Sequence, residues 1–144
     1  MIKEAELTEL EKAAGLAVLL WPENTVKDLV DEFSEILSTG KGSFFLKYVQ
    51  DEPVGFAQCQ LREDYVEGTS ASPVGYLEGI FVKEGYRRSG YARELLCACE
   101  KWAKKMGCRE FASDCELDNH GSFAFHMALG FTEANRVICF TKQL

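Results

Sequence analysis

No apolar run in this 144-residue chain approaches the roughly 20 residues a helix needs to cross a bilayer. Internal repeats and low-complexity linkers are absent as well, which leaves a chain the size of one ordinary domain, expected over residues 1–144. The stretch Met1-Ile2-Lys3-Glu4-Ala5-Glu6 lacks the basic and apolar regions of a secretory signal, so a cytoplasmic protein is expected. There is no basic excess: 16 Lys and Arg face 23 Asp and Glu, a formal charge of −7. Such a surface repels nucleic acid and anionic membranes and is compatible with a cationic ligand. Histidine is scarce, and neither His120 nor His126 falls at zinc-finger spacing from a cysteine. The six cysteines are scattered through apolar segments, and Cys97 and Cys99 point different ways on a helix. No disulfide framework and no metal site is expected, and the thiols read as buried and inert.

What is present is enough apolar material for a core, 47% of residues against 27% charged. Residues 2–6 suit a short strand, and Leu7 to Leu20 a helix ending near Trp21-Pro22. From about Thr25, with Asn24 as expected cap, the residues Val26, Leu29, Val30, Phe33 and Leu37 share one helical face up to a stop at Gly40. Ser43 to Val49 and Val54 to Leu61 read as a hairpin around the turn Asp51-Glu52-Pro53. A polar loop, 62–73, leads to a strand over Val74 to Val82 and a loop over Lys83 to Gly90. Ala92, Leu95, Leu96, Cys99, Trp102, Ala103 and Met106 keep the helical period across 91–106. A strand over Arg109 to Asp114, a helix over about Gly121 to Leu129 and a strand over Val137 to Thr141 complete the order. The central strand–helix–strand implies a parallel pair with a right-handed crossover, and the hairpin implies antiparallel neighbours. The expected fold class is α+β (mixed α/β), with a six- or seven-stranded sheet flanked by about four helices.

The segment Leu77-Glu78-Gly79-Ile80-Phe81-Val82-Lys83-Glu84-Gly85-Tyr86-Arg87-Arg88-Ser89-Gly90-Tyr91-Ala92 carries the chemistry. A strand delivers the chain to a loop with two arginines and a glycine, and a helix starts at once. Free backbone N–H groups and the positive end of the helix dipole converge there, as a diphosphate requires. Gly90 permits close approach, Ala92 does not obstruct it, and Arg87 and Arg88 add charge and directed donors. The loop is not a nucleotide-binding P-loop, since it lacks Gly-Lys-Ser/Thr.

Arg87-x-x-Gly90-x-Ala92 after a strand resembles the acetyl-CoA signature of GNAT N-acetyltransferases, and the order of elements matches the GNAT fold, with its splayed parallel pair, over essentially the whole chain. Tyr65-Val66-Glu67-Gly68-Thr69, Ser72-Pro73-Val74-Gly75, Leu77-Glu78-Gly79-Ile80, Phe111-Ala112-Ser113-Asp114, Leu117-Asp118-Asn119 and Leu129-Gly130-Phe131 resemble the aminoglycoside 6′-N-acetyltransferase branch. The resemblance implies acetyl-CoA as co-substrate. Backbone groups of Ile80, Phe81 and Val82 then pair with the pantetheine arm, and one of these amides holds the oxyanion. The loop and helix start, with Arg87, Arg88, Ser89, Gly90, Tyr91, Ala92 and Arg93, hold the pyrophosphate, and Asn119 contacts CoA or simply caps the next helix. Substrate contacts fall on Trp21, Tyr65, Glu78 and Asp114. The branch often has a further acid where this chain has Asn135, with Glu133 two residues earlier as a possible replacement.

The implied reaction is direct attack of a substrate amine on the acetyl thioester in a ternary complex, conferring aminoglycoside resistance. A carboxylate must take a proton from the amine; Asp114 is the first choice and Glu78 the second, with Tyr65 or a water protonating the leaving thiolate. Relatives in the branch are commonly homodimers with the last strand near the partner. A GNAT enzyme for another amine (a polyamine or a protein amino group) and a non-catalytic CoA-binding module stay open as alternatives.

Overall fold

The computed structural model describes all 144 residues. Strands β1 (Ile2–Glu4), β2 (Gly42–Val49), β3 (Glu52–Arg62), β4 (Val74–Val82) and β5 (Phe111–Ala112) form one sheet in sequence order. All neighbours are antiparallel except β4 and β5, the parallel pair the crossover predicts. Helices α1 (Leu10–Leu20) and α2 (Val26–Thr39) cover one face, and α3 (Tyr91–Lys105) and α4 (His120–Ala128) lie on the other.

Both faces are dry where the helices sit, which is why β2 reads as a continuous apolar run. Phe44, Leu46 and Tyr48 point to α1 and α2, joining Leu10, Phe33 and Phe56. Phe45 points the other way and joins Ala57, Leu77, Leu95 and Cys99 beneath α3. The α2 cap is Thr25 rather than Asn24: its hydroxyl accepts the Asp28 N–H at 3.1 Å. Gly40 ends the helix at φ +69°, a conformation only glycine adopts without strain. The hairpin turn lies on Gln50 and Asp51, both at positive φ, and Pro53 already belongs to β3, at the edge of a register shift.

Two expectations are corrected. The sheet has five strands, not six or seven, because the chain after α4 joins no strand. Val137 to Thr141 forms no strand and stands in solvent, with Val137 71%, Ile138 78% and Phe140 88% exposed. A short apolar run reports side chains that want covering, but not whether a sheet edge is there to receive it. The cysteines also divide: Cys59, Cys99 and Cys108 are buried, whereas Cys97, Cys115 and Cys139 are exposed. Burial pushes the Cys108 thiol up, consistent with an inert core thiol.

The N-terminal half is pinned by Glu9, a buried carboxylate. Burial alone raises its pKa, but Lys3 at 3.1 Å, the Glu6 N–H at 3.3 Å and the Tyr48 hydroxyl at 3.1 Å outweigh it and hold the group below the ordinary glutamate value. The stabilisation is therefore present above the unfolded-state pKa and is lost as pH falls through the lower folded-state value. Replacing Glu9 by Gln is expected to destabilise the fold by about 1–2 kcal/mol near pH 7. The difference from the unsubstituted protein should shrink below about pH 4, near the ordinary glutamate value, as denaturant titrations at several pH values will read.

Candidate active site

Beyond Tyr76 the two parallel strands part. β5 pairs with β4 only at Gly75–Phe111 and Tyr76–Ala112, while β3 follows β4 to Val82. From Leu77 onward one edge of β4 is therefore without a strand partner, and it includes Ile80, Phe81 and Val82. One of its carbonyls, Val82 O, accepts Arg87 Nε at 2.8 Å, and Leu77 O lies 3.4 Å from the Ser113 hydroxyl oxygen. A strand edge bare over several residues is a site for an extended ligand.

The following loop has the geometry of an anion cradle. A 3-10 turn, Glu84–Tyr86, leads into Arg87, with Arg88 at φ +63° and Gly90 at φ +80° just before α3. Alternating hand in consecutive residues turns successive N–H groups toward one concave face, and the first amides of α3 add to it. Arg87 is committed to the scaffold through Val82 O and lies 5.4 Å over the Phe81 ring, while Arg88 is exposed. Ser89, Tyr91 and Ala92 occupy the cradle and first turn as the motif implies. The Arg93 side chain instead donates to Ala128 O at 3.2 Å and ties α3 to the end of α4. Asn119 acts as a cap, its carbonyl accepting the Ser122 N–H at 3.0 Å, which leaves its NH₂ uncommitted. Such a loop at a helix N-terminus suits a diphosphate: Arg88 is exposed beside it, and the carboxylate of the first helical turn, Glu94, is paired with Lys47.

On the α1–α2 face lies an acidic cleft of about 290 Å³, lined by Trp21, Glu23, Asn24, Leu29, Glu32, Gln58, Gln60 and Glu78. Trp21 packs against β4, where a Cβ at Gly79 would stand only 2.5 Å from its ring, and meets Phe56 edge-on at 6.1 Å. Glycine at 79 is what lets the indole reach the strand. Glu78 owes its place to a bulge. The consecutive residues Gln58 and Cys59 pair with Gly79 and Leu77, leaving Glu78 as the extra residue. A bulge re-aims one side chain, here a carboxylate in an otherwise apolar strand. Burial raises the Glu78 pKa and nearby Asp114 adds to this, while Arg62 opposes.

Asp114, exposed just past β5, accepts the buried Tyr76 hydroxyl. Burial, then the bond and charge of Asp114, push the Tyr76 phenol far above its usual range, so it stays a donor. The Ser113 hydroxyl lies 2.8 Å from His126 Nε2, and His126 Nδ1 lies 2.7 Å from Ser122 O. A carbonyl only accepts, so Nδ1 carries the proton and Nε2 accepts from Ser113, which fixes α4 beside the strand end carrying Asp114.

Of the sequence-read substrate residues, the structure brings Trp21 and Glu78 into one cleft and links Asp114 to the same region through Tyr76. Tyr65 is 76% exposed and lines a separate depression with Glu63, Asp64 and Thr69 to Ser72. The C-terminal pair, Glu133 and Asn135, lies outside any strand. Glu133 is neutralised by Arg136, and Asn135 donates to Glu67 at 2.8 Å. Ala134 packs where a Cβ at Gly68 would stand, 2.5 Å away, so this segment braces the loop that carries Tyr65. Glu23, Glu32, Gln58, Gln60, Arg62 and Tyr76 escaped the sequence reading. Gln58 and Gln60, two apart in an apolar strand, were the available signal of a polar face.

Comparison with known proteins agrees with this geometry. The family model described as "Acetyltransferase (GNAT) family" matches residues 10–131. An aminoglycoside N(6′)-acetyltransferase type 1 of Stenotrophomonas maltophilia is 40% identical, over 99% of this chain and 93% of its own. One from Acinetobacter genomosp. 13 is 44% identical, over 90% and 89%. The structure of AAC(6′)-Iy in complex with the bisubstrate analogue CoA-S-monomethyl-acetylneamine superposes with a TM-score of 0.95 at 38% identity, covering 100% of this chain and 98% of that one. The parted strands, the cradle before α3 and these full-length likenesses agree: the chain belongs to the GNAT acetyltransferase family, in the branch of the aminoglycoside N(6′)-acetyltransferases.

Proposed function

We propose that this protein transfers the acetyl group of acetyl-CoA to the 6′-amino group of aminoglycosides and so confers resistance to them. The observation that carries the reading is the one-sided pairing of β4. The same strand offers a bare backbone edge to a thioester and, through its bulge, a carboxylate to a cationic amine. The cradle from Arg87 to Arg93, with the free amide of Asn119, holds the pyrophosphate, and the β4 edge from Ile80 to Val82 aligns the pantetheine arm. Trp21, Glu78, Glu23 and Glu32 receive the polycationic sugar by stacking and charge.

Asp114 accepts a proton from the acceptor ammonium, directly or through water, with Glu78 the second candidate. The freed nitrogen attacks the acetyl carbonyl and a β4 amide holds the oxyanion; as the adduct collapses the C–S bond breaks, the nitrogen gives up its second proton, and Tyr65 or water relays a proton to sulfur. A thiol-release assay with acetyl-CoA against aminoglycosides, polyamines and peptides tests the reading. Aminoglycoside turnover supports it, and turnover confined to polyamines or peptides contradicts it.

We propose a cytoplasmic location. We also propose a homodimer closed by the C-terminal segment, whose exposed Val137, Ile138 and Phe140 need cover. Light scattering after size exclusion should give twice the 16.2 kDa chain mass, falling to one chain mass in the Val137→Asp, Phe140→Asp double variant. A monomeric parent protein overturns the dimer.

A further inference from the structure

One carboxylate of the acidic cleft, Glu78, is already paired with a cation. Arg62, the last residue of β3, grips Glu78 with both edges of its fork: Nε to Oε1 at 3.0 Å, Nη2 to Oε1 at 2.9 Å and Nη2 to Oε2 at 3.0 Å. Its guanidinium also lies 3.5 Å over the Tyr76 ring, whose hydroxyl reaches Asp114. One continuous chain, Glu78–Arg62–Tyr76–Asp114, thus joins the two candidate catalytic carboxylates. Three features distinguish Arg62 from a surface ion pair. The carboxylate it holds is four-fifths buried, at 21% side-chain exposure. That carboxylate lines the cleft. The guanidinium itself is still 43% exposed and has room to leave.

We propose that Arg62 is the resident counter-ion of the acceptor cleft, displaced from Glu78 when an ammonium group of the substrate binds. The inference rests on the proposed acceptance of a polycationic amine. Glu78 is faced by Arg62 from β3, Tyr76 from β4, Asp114 beyond β5, and Glu23 and Glu32 of the cleft wall. Without substrate, Arg62 is the cation that offsets this carboxylate cluster. With substrate, an ammonium takes its place, and the guanidinium stays stacked on Tyr76, where cation–π attraction continues to hold it. Arg62 is thus a specificity-determining residue: it excludes acceptors too weakly cationic to displace it and lowers affinity for those that succeed.

The test is steady-state kinetics at pH 8 with saturating acetyl-CoA and a varied aminoglycoside, for the unsubstituted enzyme, Arg62→Gln and Arg62→Lys. Arg62→Gln removes the competitor, so the acceptor KM should fall about fivefold, the scale of one partly exposed ion pair. The acetyl-CoA KM should be unmoved and Arg62→Lys should stay near the parent. A merely structural tie predicts the opposite, a higher acceptor KM. An acceptor KM raised or unchanged in Arg62→Gln overturns the proposal. A second measurement needs no variant: the side-chain ¹⁵Nε–H resonance of Arg62 in the native enzyme should lose its carboxylate-bound shift on saturation with acceptor, and an unaltered resonance overturns the proposal. If the parent enzyme turns over polyamines but no aminoglycoside, the reading of the substrate fails, and both measurements still judge Arg62 with the polyamine.

Discussion

Replacing Asp114 by Asn should lower kcat by about 10²- to 10³-fold at neutral pH while leaving the acetyl-CoA KM nearly unchanged. The expectation follows from position. Asp114 is carried just past β5, where β5 has parted from β4, so it stands beside the bare edge on which the thioester is proposed to lie. The Tyr76 hydroxyl holds one carboxylate oxygen, leaving the other free to accept a proton. An amide of the same shape keeps a hydrogen bond and loses the base. Tyr76→Phe frees the carboxylate to rotate but leaves its charge, and should cost far less. Glu78→Gln should act mainly on the acceptor KM, because Glu78 is paired with a guanidinium that competes for its lone pairs. Burial raises the pKa of Glu78, so it gives up its charge at a higher pH than an ordinary glutamate as acid is added. Its share of acceptor binding therefore fades at a higher pH than an ordinary glutamate's would, and Glu78→Gln should flatten that part of the acid limb. Parent-like rates and pH dependence in both Asp114→Asn and Glu78→Gln would remove both residues from the mechanism.

The second large effect is expected at Gly90. A valine there should raise the acetyl-CoA KM about 10- to 100-fold with little change in the acceptor KM, since a β-branched residue at positive φ costs roughly 1–2 kcal/mol and its bulk stands in the cradle. Nothing in the protein lies within 4 Å of a Cβ built at Gly90, so no internal clash contributes. The loss comes from re-aimed amides and from the blocked approach of the diphosphate. Gly85 supplies the control. It belongs to the same loop, also has open space around it and is not at positive φ, so Gly85→Ala should bind acetyl-CoA as the parent does. An equal loss in both variants would mean that general loosening of the loop, rather than the cradle at Gly90, governs binding.

The parts of this molecule that depend on local pattern were legible in its sequence. The period of α3, the stop at Gly40 and the span of β4 follow from side-chain spacing and from glycine's freedom, and all three appear where that chemistry puts them. The basic glycine loop before α3 was legible for the same reason, since a loop between strand and helix is a contiguous feature. The acceptor side was harder because it depends on register between strands. Glu78 looked out of place in an apolar strand, but the bulge that turns it into the cleft exists only in its pairing with Gln58 and Cys59. Arg62 and Tyr76 each sit at an unremarkable sequence position, and only the sheet brings them together over Glu78. The C-terminal segment shows the converse failure. Its apolar run was visible, but β5 is only two residues long and no edge of this sheet takes the segment in.

The central claim is that one strand, β4, presents a thioester to an amine held by an acidic cleft, and that the amine is the 6′ position of an aminoglycoside. It is tested most directly by incubating the purified protein with acetyl-CoA and an aminoglycoside that carries a 6′-amino group, and locating the acetyl group on the product by NMR. The account predicts a single acetamide at the 6′ nitrogen with one equivalent of free CoA. An acetyl group at another ring position, or CoA release only with polyamines or peptides, would contradict it.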